Sequence, residues 1–166
     1  SYLIQKSGLI SLDPELIRLD TTQFLALAEK ARAQEADQAF EQAVATYQKA
    51  LDLYAGDYFA EEPYLEGIAR DRDFYRATLV GVLKKKARLH EDLDQWAMAV
   101  STWHGLLRAA PLNEEGYRNL MILYADNGQV SQAIQIFKEC RTVLKKELDA
   151  QPDTKTLELV QKIKQL

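Results

Sequence analysis

The feature that most constrains this chain is a short pattern that recurs three times. A small residue is followed by an aromatic residue four positions later, and by a small or apolar residue three positions after that. The copies are Ala43-Tyr47-Ala50, Ala99-Trp103-Leu106 and Ala133-Phe137-Cys140. Residues spaced by three and four lie on one helix face, where the small side chains let a second helix approach and the ring fills the space beside it. The pattern predicts antiparallel helix pairs that stabilise one another in stacks.

The spacing of the three copies indicates a repeat. Ala99 and Ala133 lie 34 residues apart, which is the period of the tetratricopeptide repeat, and Pro111 stands where that repeat closes. Ala43 and Ala99 lie 56 residues apart, so extra residues around DYFAEEPYLEG interrupt the array. An ordinary antiparallel helical bundle is the alternative. The period, the proline and the number of helices together favour tetratricopeptide-like packing.

The periodicity of apolar residues predicts about seven helices. The first begins at a capping box at Asp20, and the longest runs from about residue 64 to residue 91. Asn113 caps a later helix, Gly128 ends it, and Pro152-Asp153 begins the last one. We therefore expect an all-α fold of tetratricopeptide-like antiparallel helix pairs.

The first nineteen residues are the exception. SYLIQKSGLISL contains two short apolar runs around a glycine-bearing turn, which predicts a short N-terminal β-hairpin. The sequence has no initiator Met and starts directly on the first predicted strand, so we expect a piece of a longer protein. The predicted organisation is a hairpin at 1–19 and a helical domain at 20–166.

Charge and cysteine content exclude several classes of protein. A net charge of −4 argues against binding of a nucleic-acid backbone by this piece, because such binding requires clustered Lys and Arg. Cys140 is the single cysteine, so there is no disulfide framework, and this suits a reducing compartment. No run reaches the roughly 18 to 20 apolar residues that span a bilayer. We expect a cytoplasmic protein without a membrane segment.

The sequence shows no recognisable catalytic or metal-binding set. His90 and His104 lie far apart, with no Cys or Asp at ligand spacing. Cys140 occupies a packing position of the repeat pattern, where a thiol behaves as a small hydrophobe. The acidic stretch at 57–63 is interpreted as a solvated loop, and no glycine-rich phosphate loop is present. We expect a protein that is not an enzyme and that uses no metal, cofactor or small-molecule substrate.

The candidate site is a basic stripe. In the register of the repeat, the first helices of the pairs place four basic residues on one face: Arg32, Lys84, Arg88 and Arg118. Such a groove would bind an extended peptide or a carboxylate end through charge-assisted hydrogen bonds. It predicts that reversing the charges of Lys84 and Arg118 weakens partner binding and leaves helicity unchanged. The alternative is that these side chains are solvated or pair with Glu on neighbouring turns.

Essentially the whole chain resembles the bacterial transcriptional activator domain, the tetratricopeptide-like module of antibiotic-regulatory-type activators. The resemblance lies in the opening hairpin, in LYAGDYFAEEPYLEGIARDRDFY and in APLNEEGYRNLMILYADNGQVSQAIQIFKECRTVLKKELDAQPD. The matching positions are Tyr54, Gly56, Asp57, Tyr64, Pro111, Leu112, Glu114, Gly128, Ala133, Phe137, Arg141, Leu144, Glu147, Leu148 and Pro152. Gly67 stands where a Trp is usual, Gln129 where an Arg is usual, and Asp149 where a Gly is usual. Asp149 is expected to adopt the left-handed conformation that the turn requires.

The resemblance implies a regulatory and protein-interaction module that supports dimerisation, signal coupling or contact with the transcription machinery. In that family the module follows a winged-helix domain, so the hairpin would be the end of the wing, and DNA would be bound only through that N-terminal domain. A β-cap private to this domain is the alternative. The implied partner is a second copy or another protein. The rival function is a stand-alone tetratricopeptide scaffold that binds a peptide and is unrelated to transcription, which a gene start near Ser1 would favour.

Overall fold

The computed structural model describes residues 3–6, 9–12, 20–56 and 67–166. Two strands, β1 (Leu3–Lys6) and β2 (Leu9–Leu12), pair antiparallel, with Leu3 opposite Leu12. The helices are α1 (Asp20–Ala36), α2 (Phe40–Leu53), α3 (Ala69–Asp92), α4 (Trp96–Ala109), α5 (Glu114–Asp126), α6 (Val130–Leu148) and α7 (Thr154–Ile163). These seven helices in the described residues confirm the helical fold. Among the same residues, no helix is both long enough and apolar enough to cross a membrane.

The chain divides into two compact units, Ser1–Tyr75 and Arg76–Leu166. In the first unit α1 packs against α2. In the second, α5 packs against α4 and α6, and α7 covers α5 and α6. The predicted boundary between residues 19 and 20 is a different division of the chain, and it stays a prediction.

The residues of the recurring pattern form the cores of the helix pairs, as predicted. Eight of the nine are fully buried, and Phe137 is 8% exposed. The two polar rings each have a carboxylate partner twelve residues earlier. The Tyr47 hydroxyl donates to Glu35 Oε2 at 3.2 Å, and the Trp103 indole donates to Glu91 Oε1 at 2.5 Å. Phe137 has no group to satisfy, and the residue twelve before it is Ala125.

The turns inside the helix pairs repeat as well. Each contains one left-handed residue: Gln38 (φ 60°), Asp94 (φ 55°) or Gly128 (φ 72°). The next backbone N–H donates to a carbonyl five residues earlier at 2.8 Å in all three turns, as in the Schellman motif. Gln38 and Asp94 lie 56 residues apart, and Asp94 and Gly128 lie 34 apart. The repeat therefore extends from the core to the backbone of the turns.

Helix ends agree with the sequence prediction at most positions. The Asn113 side chain accepts the N–H of Gly116 at 3.0 Å, and the Asp153 side chain accepts that of Thr156 at 2.7 Å. Asp149 adopts the expected left-handed conformation, with φ 52°. The side chains of Asn113 and Asp153 thus accept from N–H groups that a helix start leaves without partners.

The long helix differs from its predicted start. It begins at Ala69 rather than near residue 64. Gly67 has a φ of 90°, and backbone in that region cannot belong to a right-handed helix. The predicted start and the acidic stretch at 57–63 lie outside the described residues.

Candidate functional site

One carboxylate of α5 joins the two predicted basic residues of α3. Glu115 Oε2 accepts from Lys84 Nζ at 2.5 Å, and Glu115 Oε1 accepts from an Arg88 guanidinium nitrogen at 2.6 Å. The Glu115 and Lys84 side chains are 30% and 28% exposed, whereas Arg88 is 58% exposed. The Lys84–Glu115 pair is therefore better shielded from solvent than the Arg88–Glu115 pair.

The electrostatics of Glu115 follow from these contacts. The hydrogen bond from Lys84 lowers the pKa of the Glu115 carboxyl below its ordinary value, burial raises it, and the charges of Lys84 and Arg88 lower it further. The net shift is downward, so the carboxylate is ionised at neutral pH. The single negative charge of Glu115 is thus shared by two positive charges of the predicted stripe.

The third predicted residue of this unit, Arg118, joins α5 to the start of α7. Its guanidinium donates to Asp153 Oδ2 and to the Thr156 hydroxyl, both at 2.9 Å. The backbone N–H of Asp153 donates to Glu114 Oε2 at 2.8 Å. Burial raises the pKa of Asp153, but the hydrogen bonds from Thr156 and the Arg118 charge lower it overall. Arg118 is therefore also held by an acidic side chain.

Arg32 lies in the first unit, where its guanidinium pairs with Glu29 one turn away on α1. This contact matches the alternative of pairing on neighbouring turns. Lys84, Arg88 and Arg118 instead pair with acids on other helices, which neither sequence interpretation described. Binding of a partner by these four residues stays a prediction.

The sequence reasoning missed the acids that hold the stripe, Glu115 and Asp153. Lys84 and Glu115 are 31 residues apart, and Arg118 and Asp153 are 35 apart. No local sequence pattern predicts ion pairs between residues so far apart. The one available signal was the Glu114-Glu115 doublet behind the Asn113 cap, a position where acids complement the positive end of a helix.

The histidines and the cysteine are packing residues. His90 is 2% exposed, and its Nδ1 lies 2.7 Å from Gln95 Oε1, which assigns the ring proton to Nδ1. His104 Nε2 lies 3.4 Å from the Tyr124 hydroxyl. Burial lowers the pKa of both imidazoles and raises the pKa of the Cys140 thiol to about 12. Among the residues that the structure describes, no three His, Cys, Asp or Glu side chains come together as a metal site.

Solved structures with similar folds include a mycobacterial protein and two tetratricopeptide domains. EmbR of Mycobacterium tuberculosis, in complex with a low-affinity phosphopeptide, matches 99% of this chain at 18% identity with a TM-score of 0.75. This chain spans 43% of the length of EmbR. No curated protein matched the chain.

The two tetratricopeptide domains match with lower scores. The C-terminal domain of a Plasmodium falciparum protein described as FK506-binding has 12% identity and a TM-score of 0.59, over 88% of this chain and 89% of its own. The first tetratricopeptide domain of Spaghetti (RPAP3), bound to the HSP90 peptide SRMEEVD, has 17% identity and a TM-score of 0.56, over 90% and 96%. These likenesses show the fold.

The family is shown by a match along most of the sequence. Residues 19–164 match the bacterial transcriptional activator domain. This match confirms the resemblance for the helical part of the chain, which contains both of the longer motifs, whereas the opening hairpin lies before the matched residues. The chain belongs to the bacterial transcriptional activator domain family.

Proposed function

We propose that this chain is the regulatory and protein-interaction module of a bacterial transcriptional regulator, and that it performs no catalysis of its own. The observation that carries the proposal is the family match over residues 19–164. The likeness to EmbR, of which this chain spans 43%, supports a module that works within a longer protein. Its cytoplasmic location follows from that role.

The mechanism that we propose is one of positioning. Helix pairs that share buried aromatic residues are stiff elements, because close-packed cores resist deformation. Within the second unit, ion pairs tie α5 to Lys84 of α3 and to Asp153, the N-cap of α7. Such a support would hold a self-association surface or a partner surface in a fixed place.

DNA would be bound by a winged-helix domain that precedes this chain. The antiparallel pairing of β1 and β2 is what the end of such a domain would provide, whereas a β-cap private to the helical domain is the alternative. The net charge of −4 is consistent with a module that does not itself bind the phosphates of DNA.

The experiment is to translate the reading frame upstream of Ser1 and to compare the longer product with this chain in gel shifts. A helix-turn-helix with Arg and Lys on its recognition helix, and a shift given by the longer product alone, would support the proposal. A start codon within a few residues of Ser1 would contradict it.

The second candidate is a stand-alone scaffold that binds a peptide. The likeness to a tetratricopeptide domain bound to the peptide SRMEEVD, over 96% of that chain, favours it. In this case Lys84, Arg88 and Arg118 would meet the carboxylates of the peptide only by displacing Glu115 and Asp153. The same reading-frame result separates the two candidates.

A further inference from the structure

The second unit carries two adjoining hollows along α6, and none of the four predicted basic residues lines either of them. One has a volume of about 600 Å³ and is lined by Arg141, Thr142, Lys145, Lys146 and Gln151. The other has a volume of about 310 Å³ and is lined by Tyr117, Gln135, Lys138, Glu139, Thr142 and Val143. Thr142 belongs to both, so the hollows form one continuous surface, which we name the α6 groove.

The α6 groove is basic in a protein whose net charge is −4. Four cationic side chains line it, and Glu139 is the one acid among its lining residues. Lys145 pairs with Asp149, and Lys146 pairs with Glu147 at 3.1 Å, but these side chains are 49% to 84% exposed. Exposed pairs of this kind are weak and are easily exchanged for another anion.

Two of the cations are not compensated. Neither Lys138 nor Arg141 has an ion pair with any residue in the described part of the chain. This distinguishes them from Lys84, Arg88 and Arg118, which acids of other helices hold. Among the four cations of the α6 groove, Lys138 and Arg141 are therefore the two whose positive charge is most available to a ligand.

The shape of the groove suits an extended peptide. Lys138, Arg141 and Lys145 follow one another at spacings of three and four, which places them in a row on one face of α6. From Gln135 to Leu148 the helix rises by about 20 Å, the length of about six residues of extended chain. Val143 and the aliphatic stems of the lysines add apolar surface beside the charges.

We propose that the α6 groove binds an acidic segment of a protein partner, with Lys138 and Arg141 as its principal anion contacts. This inference rests on the proposed function as a protein-interaction module and names the chemistry of the partner. A nucleic acid fits less well, because the net negative charge of the chain opposes a long polyanion, whereas a short segment meets only the local positive field.

The test uses the whole chain and fluorescence anisotropy with a labelled peptide of about six residues that alternates Glu and Leu, the length of extended chain that the α6 stretch spans. A second peptide carries Gln at every Glu position. The variant is Lys138→Glu/Arg141→Glu. The matched control, Lys162→Glu/Lys164→Glu, makes the same charge change at two exposed residues, one near the end of α7 and one at its C-cap, that do not line the groove.

We expect the wild-type chain to bind the Glu peptide and to bind the Gln peptide at least about tenfold more weakly. The α6 variant should lose at least about tenfold in affinity for the Glu peptide, whereas the affinity of the control variant should stay within about twofold of the wild type. Equal losses in variant and control, equal binding of both peptides, or no binding would overturn the inference. A short DNA duplex that binds more tightly than the Glu peptide, and that the α6 variant releases, would also overturn it. Circular dichroism of both variants establishes that they are folded. The reading-frame result does not depend on any of these outcomes.

Discussion

At the scale of single residues, two carboxylates determine how the basic side chains of this domain are used. Glu115 pairs with both Lys84 and Arg88, and Asp153 pairs with Arg118. Reversing the charge of Lys84 or Arg118 would therefore place a like charge beside Glu115 or Asp153 and reduce stability. If such a variant loses partner binding, a measurement of its stability is needed to separate a lost contact from partial unfolding.

We predict that Glu115→Gln lowers the free energy of unfolding by about 1 kcal/mol, because Lys84 loses its partly buried ionic partner while the Arg88 contact is largely screened by solvent. Urea denaturation at neutral pH measures this. The control is Glu158→Gln, an exposed α7 position. Equal unfolding midpoints for the two variants would show that the Glu115 contacts contribute nothing to stability.

The same pair of proteins gives a prediction for pH. The folded state lowers the pKa of Glu115 from its ordinary value of 4.5, so its stabilising effect is present above that value and is lost as the pH falls through the folded pKa. We expect the difference in stability between wild type and Glu115→Gln to shrink as the pH is lowered below 4.5. A difference that stays constant down to unfolding would contradict the account.

His90 provides a second prediction, in a higher pH range. Burial lowers its pKa from 6.5, the hydrogen bond with Gln95 opposes this, and the Lys86 charge adds to the lowering. The unfolded chain therefore binds the proton more readily, and stability falls as the pH drops below 6.5. We expect His90→Asn, which keeps a donor toward Gln95, to lose less stability than wild type between about pH 7 and about pH 5.

The comparison is made by thermal unfolding at several pH values. His104→Asn is measured in parallel, because burial lowers the pKa of that imidazole as well. Each variant should remove part of the pH dependence of the wild type. An unchanged dependence in both variants would show that neither histidine is the cause.

At the scale of helices and turns, the sequence predicted what is local and missed what is not. The buried faces of α2, α4 and α6 followed from spacings of three and four, and the Asn113 cap from one residue type at one place. The left-handed conformation was predicted at Gly128 and Asp149. It was missed at Gln38 and Asp94, because Gln rarely adopts it, Asp tolerates it without requiring it, and only alignment to the repeat places the two residues in a turn.

The turns provide a prediction about backbone strain. We expect Gln38→Gly to raise stability by about 0.5 to 1 kcal/mol, because glycine adopts a positive φ without the steric cost that a Cβ brings. Conversely, Gly128→Ala should lower stability by about 1 kcal/mol. A Cβ at Gly128 meets nothing within 4 Å, so that cost comes from the backbone.

The control for these substitutions is Gly81→Ala in the middle of α3. A Cβ there also meets nothing within 4 Å, and its φ is not positive. Alanine should therefore stabilise the helix at this site, by up to about 1 kcal/mol. If both alanine variants shift the urea midpoint in the same direction, the left-handed turn is not the source of the Gly128 effect.

At the scale of the whole molecule, the repeat and the family could be predicted because three copies of one pattern and several turn motifs are spread along the chain. The division into two units could not, since it depends on contacts among distant residues. The ion pairs of the candidate site were missed for the same reason, and the α6 groove was missed because Lys138 and Arg141 look like ordinary solvated residues in one dimension. Sequence shows which residues are basic, whereas only the fold shows which of them are compensated.

The central claim is that this chain gives a DNA-binding regulator its effect on transcription. The most direct test is transcription in vitro from a promoter that the full-length regulator binds, with the intact protein and with a version that ends before Asp20. The account predicts that the shortened protein still binds the promoter and no longer changes transcript levels. A shortened protein that regulates as strongly as the intact one would contradict it.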